Sequence, residues 1–312
     1  MPDFSPFLAF ERGDRQTHIV QIMGVTKTVA ALSQTGRTVI LGATGKLGRM
    51  ICRNWAQDRT RKFVKVSRKP IEGHAVWAPG QDSQSLGKVD AVIALWGVTS
   101  GDPDALEANR YLAIKAMELG AEVQASRVLH CSSAAVYQPQ DYPLSEAARL
   151  APLHPYGQSK LAMEQDVLNW AAENPDGPKP CLMRIANVVG ADSLFAAFDR
   201  EDDITLDQFA NGHGPMRSYL TVSDLAHCLK RLSECPVEAL PLIVNIATPG
   251  AMAMSDLAVA AGRKIIWRPA PETAVPHVEL ATARIAAVPG VTLNPKSAMQ
   301  MIADWQNWSV SK

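Results

Sequence analysis

The sequence predicts an α/β fold, a doubly wound parallel sheet with helices on both faces and a small C-terminal lobe. Short β-branched or aliphatic runs alternate with segments of helical periodicity from residue 38 to residue 186. One run, VDAVIALW at 89–96, is apolar almost throughout, as expected for a parallel strand that is buried on both faces. Strands that alternate with helices in this way are typical of a parallel sheet.

A glycine-rich turn follows the first strand. Residues 38–41 (TVIL) lead directly into GATGKLG at 42–48, and residues 49–56 carry helical spacing. The first glycine permits a sharp turn, the second lets backbone approach a pyrophosphate, and the third lets helix and strand pack closely. This context favours nucleotide binding over a structural turn. The expected contacts are Gly42, Thr44, Gly45, Lys46, Leu47 and Gly48.

Composition narrows the class of protein further. The 312 residues include 31 Lys and Arg against 31 Asp and Glu, so no net charge attracts nucleic acid, and a small-molecule partner is expected. Five scattered cysteines without a CxxC pair suit free thiols in a reducing compartment and predict no metal site. No apolar run is long enough for a membrane helix, and no signal peptide is recognisable. A cytoplasmic protein is expected.

Three regions are predicted along the chain. Residues 1–35 form an N-terminal extension with a short helix at 25–33, and either pack on the domain or precede a natural start near Met23. Residues 36–186 form the nucleotide-binding domain. Residues 187–312 form a substrate lobe whose chain partly returns to the main sheet. Its predicted elements are helices at 222–232, 255–261 and 297–308 and strands at 242–247 and 265–268, with Trp267 and His277 as packing or rim residues.

The residues after the second strand bear on cofactor choice. An acidic residue there would accept hydrogen bonds from the ribose hydroxyls of NAD, whereas Arg pairs with a 2′-phosphate. This chain has Ser67, Arg68 and Lys69, so NADP is favoured, with NAD possible and solvated surface charges as the alternative. A short third strand is expected at 74–78, followed by Asp82, which is either a contact to adenine or a turn residue.

The strand at 89–96 ends at Trp96 and Gly97, which are expected beside the nicotinamide half of the dinucleotide, where a small residue leaves room. A long helix is predicted over 103–126, with Tyr111 among its core-facing residues and Asn109 on it.

The chemistry is expected at Ser133, Tyr156 and Lys160. Tyr156 and Lys160 are four residues apart and share one face of a helix. A tyrosine with a pKa near about 10 is a poor base, but a lysine and a positive nicotinamide both favour the phenolate. Lowering that pKa by roughly three units requires about 4 kcal/mol. Ser133 can hydrogen-bond the reacting oxygen.

These motifs together resemble the extended short-chain dehydrogenase/reductase family, the branch called NAD-dependent epimerase/dehydratase. The resemblance runs from about residue 38 to the C-terminus. It rests on GATGKLG, Asn109, SSAAVY, Glu146 with PLHPYGQSK, MRIANVVG and MRSYLTVSDLA. It implies a catalytic serine at Ser133, an acid/base at Tyr156, a partner lysine at Lys160 and a supporting asparagine at Asn109. It also implies substrate contacts from Asn187 and Arg217, and a homodimer formed by helices near 103–126 and 155–175.

The chain departs from the sugar-nucleotide pattern in two places. The segment 187–217 is short, which favours a smaller carbonyl or sugar substrate, and Arg217 could instead pair with Asp224. Ala134 and Ala135 stand where dehydratases of the family carry an acidic pair, so elimination is disfavoured. Three hypotheses remain: a net NADP-linked reductase or dehydrogenase, an epimerase that retains its cofactor, and a redox sensor that binds the nucleotide without turnover. The first is preferred, and the intact Ser-Tyr-Lys set disfavours the sensor.

Overall fold

The computed structural model describes residues 36–200 and 203–309. The strands are β1 (Thr38–Leu41), β2 (Phe63–Ser67), β3 (Ala75–Val76), β4 (Ala91–Ala94), β5 (Arg127–Ser133), β6 (Lys179–Ile185), β7 (Asn187–Val188), β8 (Asp203–Gln208), β9 (Met216–Arg217), β10 (Tyr219–Leu220), β11 (Ile243–Ile246), β12 (Met252–Ala253), β13 (Lys264–Pro269) and β14 (His277–Val278). Seven of them form one parallel sheet in the order β3-β2-β1-β4-β5-β6-β11. This confirms the predicted fold class.

Helices cover both faces of the sheet. They are α1 (Lys46–Trp55), α2 (Pro103–Glu122), α3 (Pro155–Glu173), α4 (Ser193–Phe198), α5 (Val222–Glu234), α6 (Met254–Ala260), α7 (Ala283–Ala286) and α8 (Ala298–Trp308). Successive strand residues point to opposite faces. Ile40 therefore packs in the core with α1 and α5, while its neighbours Val39 and Leu41 pack in the core with α2 and α3.

Side-chain caps mark the start of α2, α5 and α8, whereas α1 and α3 have no such cap. The Asp102 carboxylate accepts from the Ala105 N–H at 2.8 Å at the start of α2, and Thr221 accepts from Asp224 at the start of α5. Helix α1 instead begins after Gly45, and no side chain caps it. The first N–H groups of α1 therefore stay available to an external acceptor.

The C-terminal segment divides its chain between the main sheet and a smaller layer. β11 extends the sheet beyond β6. β8 pairs with β13, β9 lies between β12 and β14, and β7 pairs with β10. A cluster that includes Phe195, Phe198 and Trp305 forms the apolar core of this layer. The domain boundary at residue 186 stays a prediction.

Several sequence-based bounds differ from the structure. The third strand is limited to Ala75–Val76, and α2 ends at Glu122 because Gln124 takes a left-handed φ of 55°. Tyr111 was expected in the core but is 55% exposed on α2. Helix α4 and strand β8 were not predicted.

The expectations for residues 1–35 lie outside the described residues. All five cysteines are free thiols. Within the described ranges, no helix is both long and apolar enough to cross a membrane.

Candidate active site

A cavity of about 770 Å³ opens at the carboxyl ends of the central strands. It lies where the turn after β1, the end of β4 and the end of β5 converge, which is the place where ligands bind in doubly wound sheets. Eight of the predicted site residues line it: Lys46, Leu47, Trp96, Gly97, Ser133, Tyr156, Lys160 and Asn187.

The glycine turn has the geometry of a dinucleotide cradle. Gly42 has a φ of +81°, and a Cβ there would lie 2.6 Å from the Trp96 nitrogen. A Cβ on Gly48 would lie 2.1 Å from the Gly42 carbonyl oxygen. The chain therefore turns sharply against β4 and directs the uncapped start of α1 toward the cavity. Backbone N–H groups at such a helix start suit a pyrophosphate, so these residues fit a dinucleotide.

The Tyr156 and Lys160 side chains occupy one wall of the cavity. The Lys160 ammonium is buried, donates to the Cys131 carbonyl at 2.9 Å and lies 5.9 Å from the centre of the Tyr156 ring. Burial raises the pKa of Tyr156, whereas its hydrogen bond with the Ser133 side chain lowers that pKa. Burial also lowers the pKa of Lys160. The Tyr156 phenol is therefore protonated at neutral pH. Lys160 and a positive nicotinamide were expected to lower its pKa together, and the protein residues by themselves do not lower it.

Asn109 supports this wall from behind. Its side-chain oxygen accepts from the Val98 N–H at 2.9 Å, and its amide donates to the Val98 carbonyl at 2.9 Å and to the Ser159 hydroxyl at 3.1 Å. A Cβ on Gly97 would lie 2.7 Å from the Asn109 oxygen and 3.3 Å from the Lys160 nitrogen. Gly97 is thus required by close packing against both residues. Asn109 fixes the loop after β4 and the first turn of α3, and it does not bond Lys160 directly.

Below the cavity a buried ion pair joins strand to helix. Arg184 on β6 donates to Glu164 on α3 at 2.6 Å, and the two side chains are 1% and 3% exposed. Ser132 donates to the same carboxylate at 2.5 Å. Arg184 also donates to the Tyr137 hydroxyl at 3.0 Å. Every charged group of this pair is hydrogen-bonded, which is the condition for burying it.

The sequence of this fold matches a known protein family. The model of the "NAD dependent epimerase/dehydratase family" matches residues 38–247, which is more than half of the chain. The chain belongs to this family. Membership confirms the resemblance that the motifs predict, and it confirms the chain as an enzyme of the short-chain dehydrogenase type.

Individual relatives are similar over part or all of the fold. A UDP-glucose 4-epimerase from Lactobacillus helveticus is 43% identical over 63 residues, which are 20% of this chain and 18% of that enzyme. The solved structure of MoeE5 in complex with UDP-glucuronic acid and NAD covers 88% of this chain and 100% of its own, at 19% identity and a TM-score of 0.73. The structure of TunA, an NAD-dependent NDP-hexosamine 5,6-dehydratase, covers 88% of this chain and 97% of its own, at 18% identity and a TM-score of 0.71. The two structures show that the family fold is shared.

Ser67, Arg68, Lys69 and Asp82 are not among the residues that line the cavity. Ser67 is buried at the end of β2 and donates to the Lys69 carbonyl at 2.7 Å. Arg68 and Lys69 are exposed, and within the described residues neither has an ion-pair partner. The Asp82 carboxylate accepts from the Gln84 N–H at 3.0 Å, as a turn residue does.

Arg217 is also outside the cavity lining. Its guanidinium donates to the carbonyls of Val275 at 2.7 Å and Met216 at 2.7 Å, and more weakly to that of Pro276. The suggested ion pair to Asp224 does not form, because that carboxylate pairs with Lys296 at 2.8 Å. Trp267 is 39% exposed, and the His277 ring lies 3.4 Å from a Glu279 oxygen. Both positions suit the predicted rim or packing roles.

The cavity contains polar residues that the sequence analysis missed. Asp192 and Ser193 line it from the start of α4, and Cys131 lines it beside Lys160. Tyr219 is buried close to Asn187 and Asp192: burial raises the pKa of its hydroxyl, the Asp192 charge raises it further, and the Asn187 side chain lowers it. The only sequence signal for Asp192 is its position directly before a short apolar run, which is typical of a helix N-cap.

Proposed function

We propose that this chain is an oxidoreductase that transfers hydride between NADP and a sugar or small carbonyl compound. The observation that carries the proposal is the convergence of Ser133, Tyr156 and Lys160 on one cavity that the glycine turn also lines through Lys46 and Leu47. An acid/base group and a phosphate-binding turn in one cavity are what such a reaction requires.

The chain's own residues have distinct roles in this proposal. The bound nicotinamide supplies or accepts the hydride. In the reductive direction the Tyr156 phenol donates its proton to the carbonyl oxygen, and the raised pKa of this phenol keeps the proton in place beforehand. Ser133 donates a hydrogen bond to the same oxygen. Lys160 holds its charge beside the phenol and can hydrogen-bond a ribose hydroxyl, while its bond to the Cys131 carbonyl fixes its position.

NADP is proposed over NAD because of Arg68 and Lys69. Both cations follow β2, the strand next to β1, and neither is neutralised by an ion-pair partner within the described residues. The Arg68 guanidinium at this strand end suits a 2′-phosphate through charge-assisted, bidentate hydrogen bonds, and the Lys69 ammonium adds a second positive charge. The family description and the similar structures name NAD, so direct titration of both nucleotides is the required test.

The second candidate function is epimerisation of a sugar nucleotide with retention of the cofactor. The local identity to a UDP-glucose 4-epimerase favours it. Arg217, the cation that the resemblance assigns to a substrate diphosphate, instead donates to backbone carbonyls and does not line the cavity. This arrangement supports net redox chemistry on a smaller substrate over epimerisation.

A homodimer is also proposed, through the outer faces of α2 and α3. Tyr111 on α2 is 55% exposed, and such a large aromatic side chain suits a buried interface. Light scattering should give twice the mass of the chain. Tyr111→Glu should shift the protein toward monomer, and an unchanged mass in that variant would exclude this face.

The test of the main proposal compares the wild type with Tyr156→Phe. Purified protein is incubated with keto sugars, sugar nucleotides such as UDP-glucose and simple carbonyl compounds, while nicotinamide absorbance and product stereochemistry are followed. We expect NADPH consumption in the wild type only, with nucleotide affinity nearly equal in Tyr156→Phe because the phenolic oxygen serves proton transfer. Lys160→Ala should reduce both turnover and nucleotide affinity. Inversion of a hydroxyl centre without net consumption of nucleotide would establish the epimerase instead.

A further inference from the structure

An ion pair joins the glycine turn to helix α4 at the edge of the cavity. The Lys46 ammonium, on the first residue of α1, donates to an Asp199 carboxylate oxygen at 3.2 Å. Lys46 lines the cavity, as do Ser193 and Ala196 of α4. Asp199 follows α4 three residues beyond Ala196, near the same helix face but outside the cavity lining. The pair therefore connects the wall formed by the turn with the wall formed by α4.

The start of α1 carries positive charge that helix stability does not explain. Its first turn contains two cations, Lys46 and Arg49, and no acidic residue, and no side chain caps it. The helix dipole favours an anion at this end and disfavours cations. The Arg49 guanidinium lies against the turn, where it donates to the Thr44 carbonyl at 3.2 Å. These positive groups suit the pyrophosphate of the dinucleotide that the glycine turn fits.

The stability of α4 does not explain Asp199 either. This residue is the C-cap of α4, and the dipole of a helix disfavours negative charge at its C-terminal end. The side chains of Lys46 and Asp199 are 39% and 44% exposed, and an ion pair at such exposure is weak. Lys46 can therefore exchange the carboxylate for another anion at little cost.

We propose that Asp199 competes with the pyrophosphate of the bound dinucleotide for the Lys46 ammonium, and that this competition lowers the affinity for the cofactor. The inference rests on the proposed function, because it concerns the cofactor of the same cavity. The ammonium carries three donors on a flexible stem, so it can turn from the carboxylate to a phosphate oxygen. A cofactor that is consumed in net redox chemistry must leave after each turnover. A competing carboxylate suits that exchange.

The experiment measures dinucleotide binding by calorimetry on the full chain at low ionic strength. NADP and NAD, which share the pyrophosphate, are each titrated into the wild type, Asp199→Asn, Lys46→Gln and the double variant. Asparagine keeps the size of Asp199 and removes its charge. Asp203→Asn is the matched control, because it removes the same charge from an exposed ion pair, with Lys264 at 3.8 Å, whose residues do not line the cavity. The melting temperature of each variant without ligand controls for folding.

We expect Asp199→Asn to tighten binding of both nucleotides by about two- to fivefold, the range that an exposed ion pair allows. Lys46→Gln should weaken binding, and the gain from Asp199→Asn should largely disappear in that background, because the two carboxylate and phosphate acceptors no longer compete for an ammonium. Asp203→Asn should leave both affinities unchanged.

Three results would overturn the inference: no gain in Asp199→Asn, an equal gain in Asp203→Asn, or an equal gain with and without Lys46, which would show simple charge repulsion. Any of them in a wild type that binds NADP, and consumes NADPH in a reaction that depends on Tyr156, leaves the proposed function intact. A wild type that binds neither nucleotide would overturn both.

Discussion

Asp192→Asn should stabilise the folded protein at neutral pH. In the wild type, burial raises the pKa of this carboxyl from 3.8 to about 6, because the cavity wall disfavours its charge. A difference of about two pKa units corresponds to at most about 3 kcal/mol of folding free energy. Asparagine has the same shape and keeps the cap to the Phe195 N–H, so the variant removes the charge without removing the hydrogen bond.

The sign of this effect sets its pH dependence. The folded state holds the Asp192 proton more tightly than the unfolded state, so the wild type has no penalty below the unfolded pKa of 3.8 and the full penalty above about 6. The advantage of Asp192→Asn should thus grow from near zero at pH 4 to its maximum near pH 7. Urea unfolding of both proteins across this range measures the difference. An Asp192→Asn protein that is no more stable than the wild type at pH 7, or an advantage that is constant with pH, would refute the argument.

Three further predictions test other parts of the molecule. Arg68→Ala should erase a preference for NADP of roughly tenfold or more, since a hydrogen bond to a charged group is worth about 1.5 to 3 kcal/mol; fluorescence titration that finds NAD favoured in the wild type would contradict this. Gly48→Ala should disrupt folding because its Cβ would meet the Gly42 carbonyl oxygen at 2.1 Å, whereas Gly45→Ala, at 3.3 Å, should fold and lose mainly dinucleotide affinity; equal thermal stability of the two variants would show that the turn relaxes. Glu164→Ala should destabilise the protein by about 3 to 5 kcal/mol because it leaves a buried guanidinium unpaired; a loss below about 1 kcal/mol in denaturant unfolding would mean that water replaces the carboxylate.

The elements that are proposed to bind the cofactor were predictable because their signals are local. The turn at 42–48 joins one strand to one helix, and its glycines are required by contacts within a few residues of each other or with the adjacent strand β4. Tyr156 and Lys160 share a helix face by spacing alone, so their proximity needs no knowledge of the tertiary fold. These elements therefore lie in the structure as the sequence predicts.

The positions of the residues that are proposed to contact substrate were not predictable from the same kind of signal. β7, β9, β10 and β14 are two-residue strands, too short to show any periodicity, and their pairings decide where Tyr219 and Arg217 lie. Arg217 is held by carbonyls near Val275 because β9 pairs with β14, a contact across about sixty residues. The error at Tyr111 has a different origin, since helix α2 is only weakly amphipathic and its polar and apolar faces are poorly separated.

Hydrogen bonds between β5 and α3 explain why the proposed catalytic groups, which are far apart in the sequence, lie together in the structure. Consecutive residues at the end of β5 are bonded to successive turns of α3: Lys160 donates to the Cys131 carbonyl, and Ser132 donates to Glu164, which lies four residues further along the helix. Helix and strand are thereby fixed in a single register, and that register brings Ser133 beside Tyr156. A shift of the helix by one residue would break both hydrogen bonds. The buried charges of Lys160 and Glu164 would then lose these partners. The YxxxK spacing is thus predictive here because the same helix face that carries the proposed acid/base also carries the groups that anchor it to the strand.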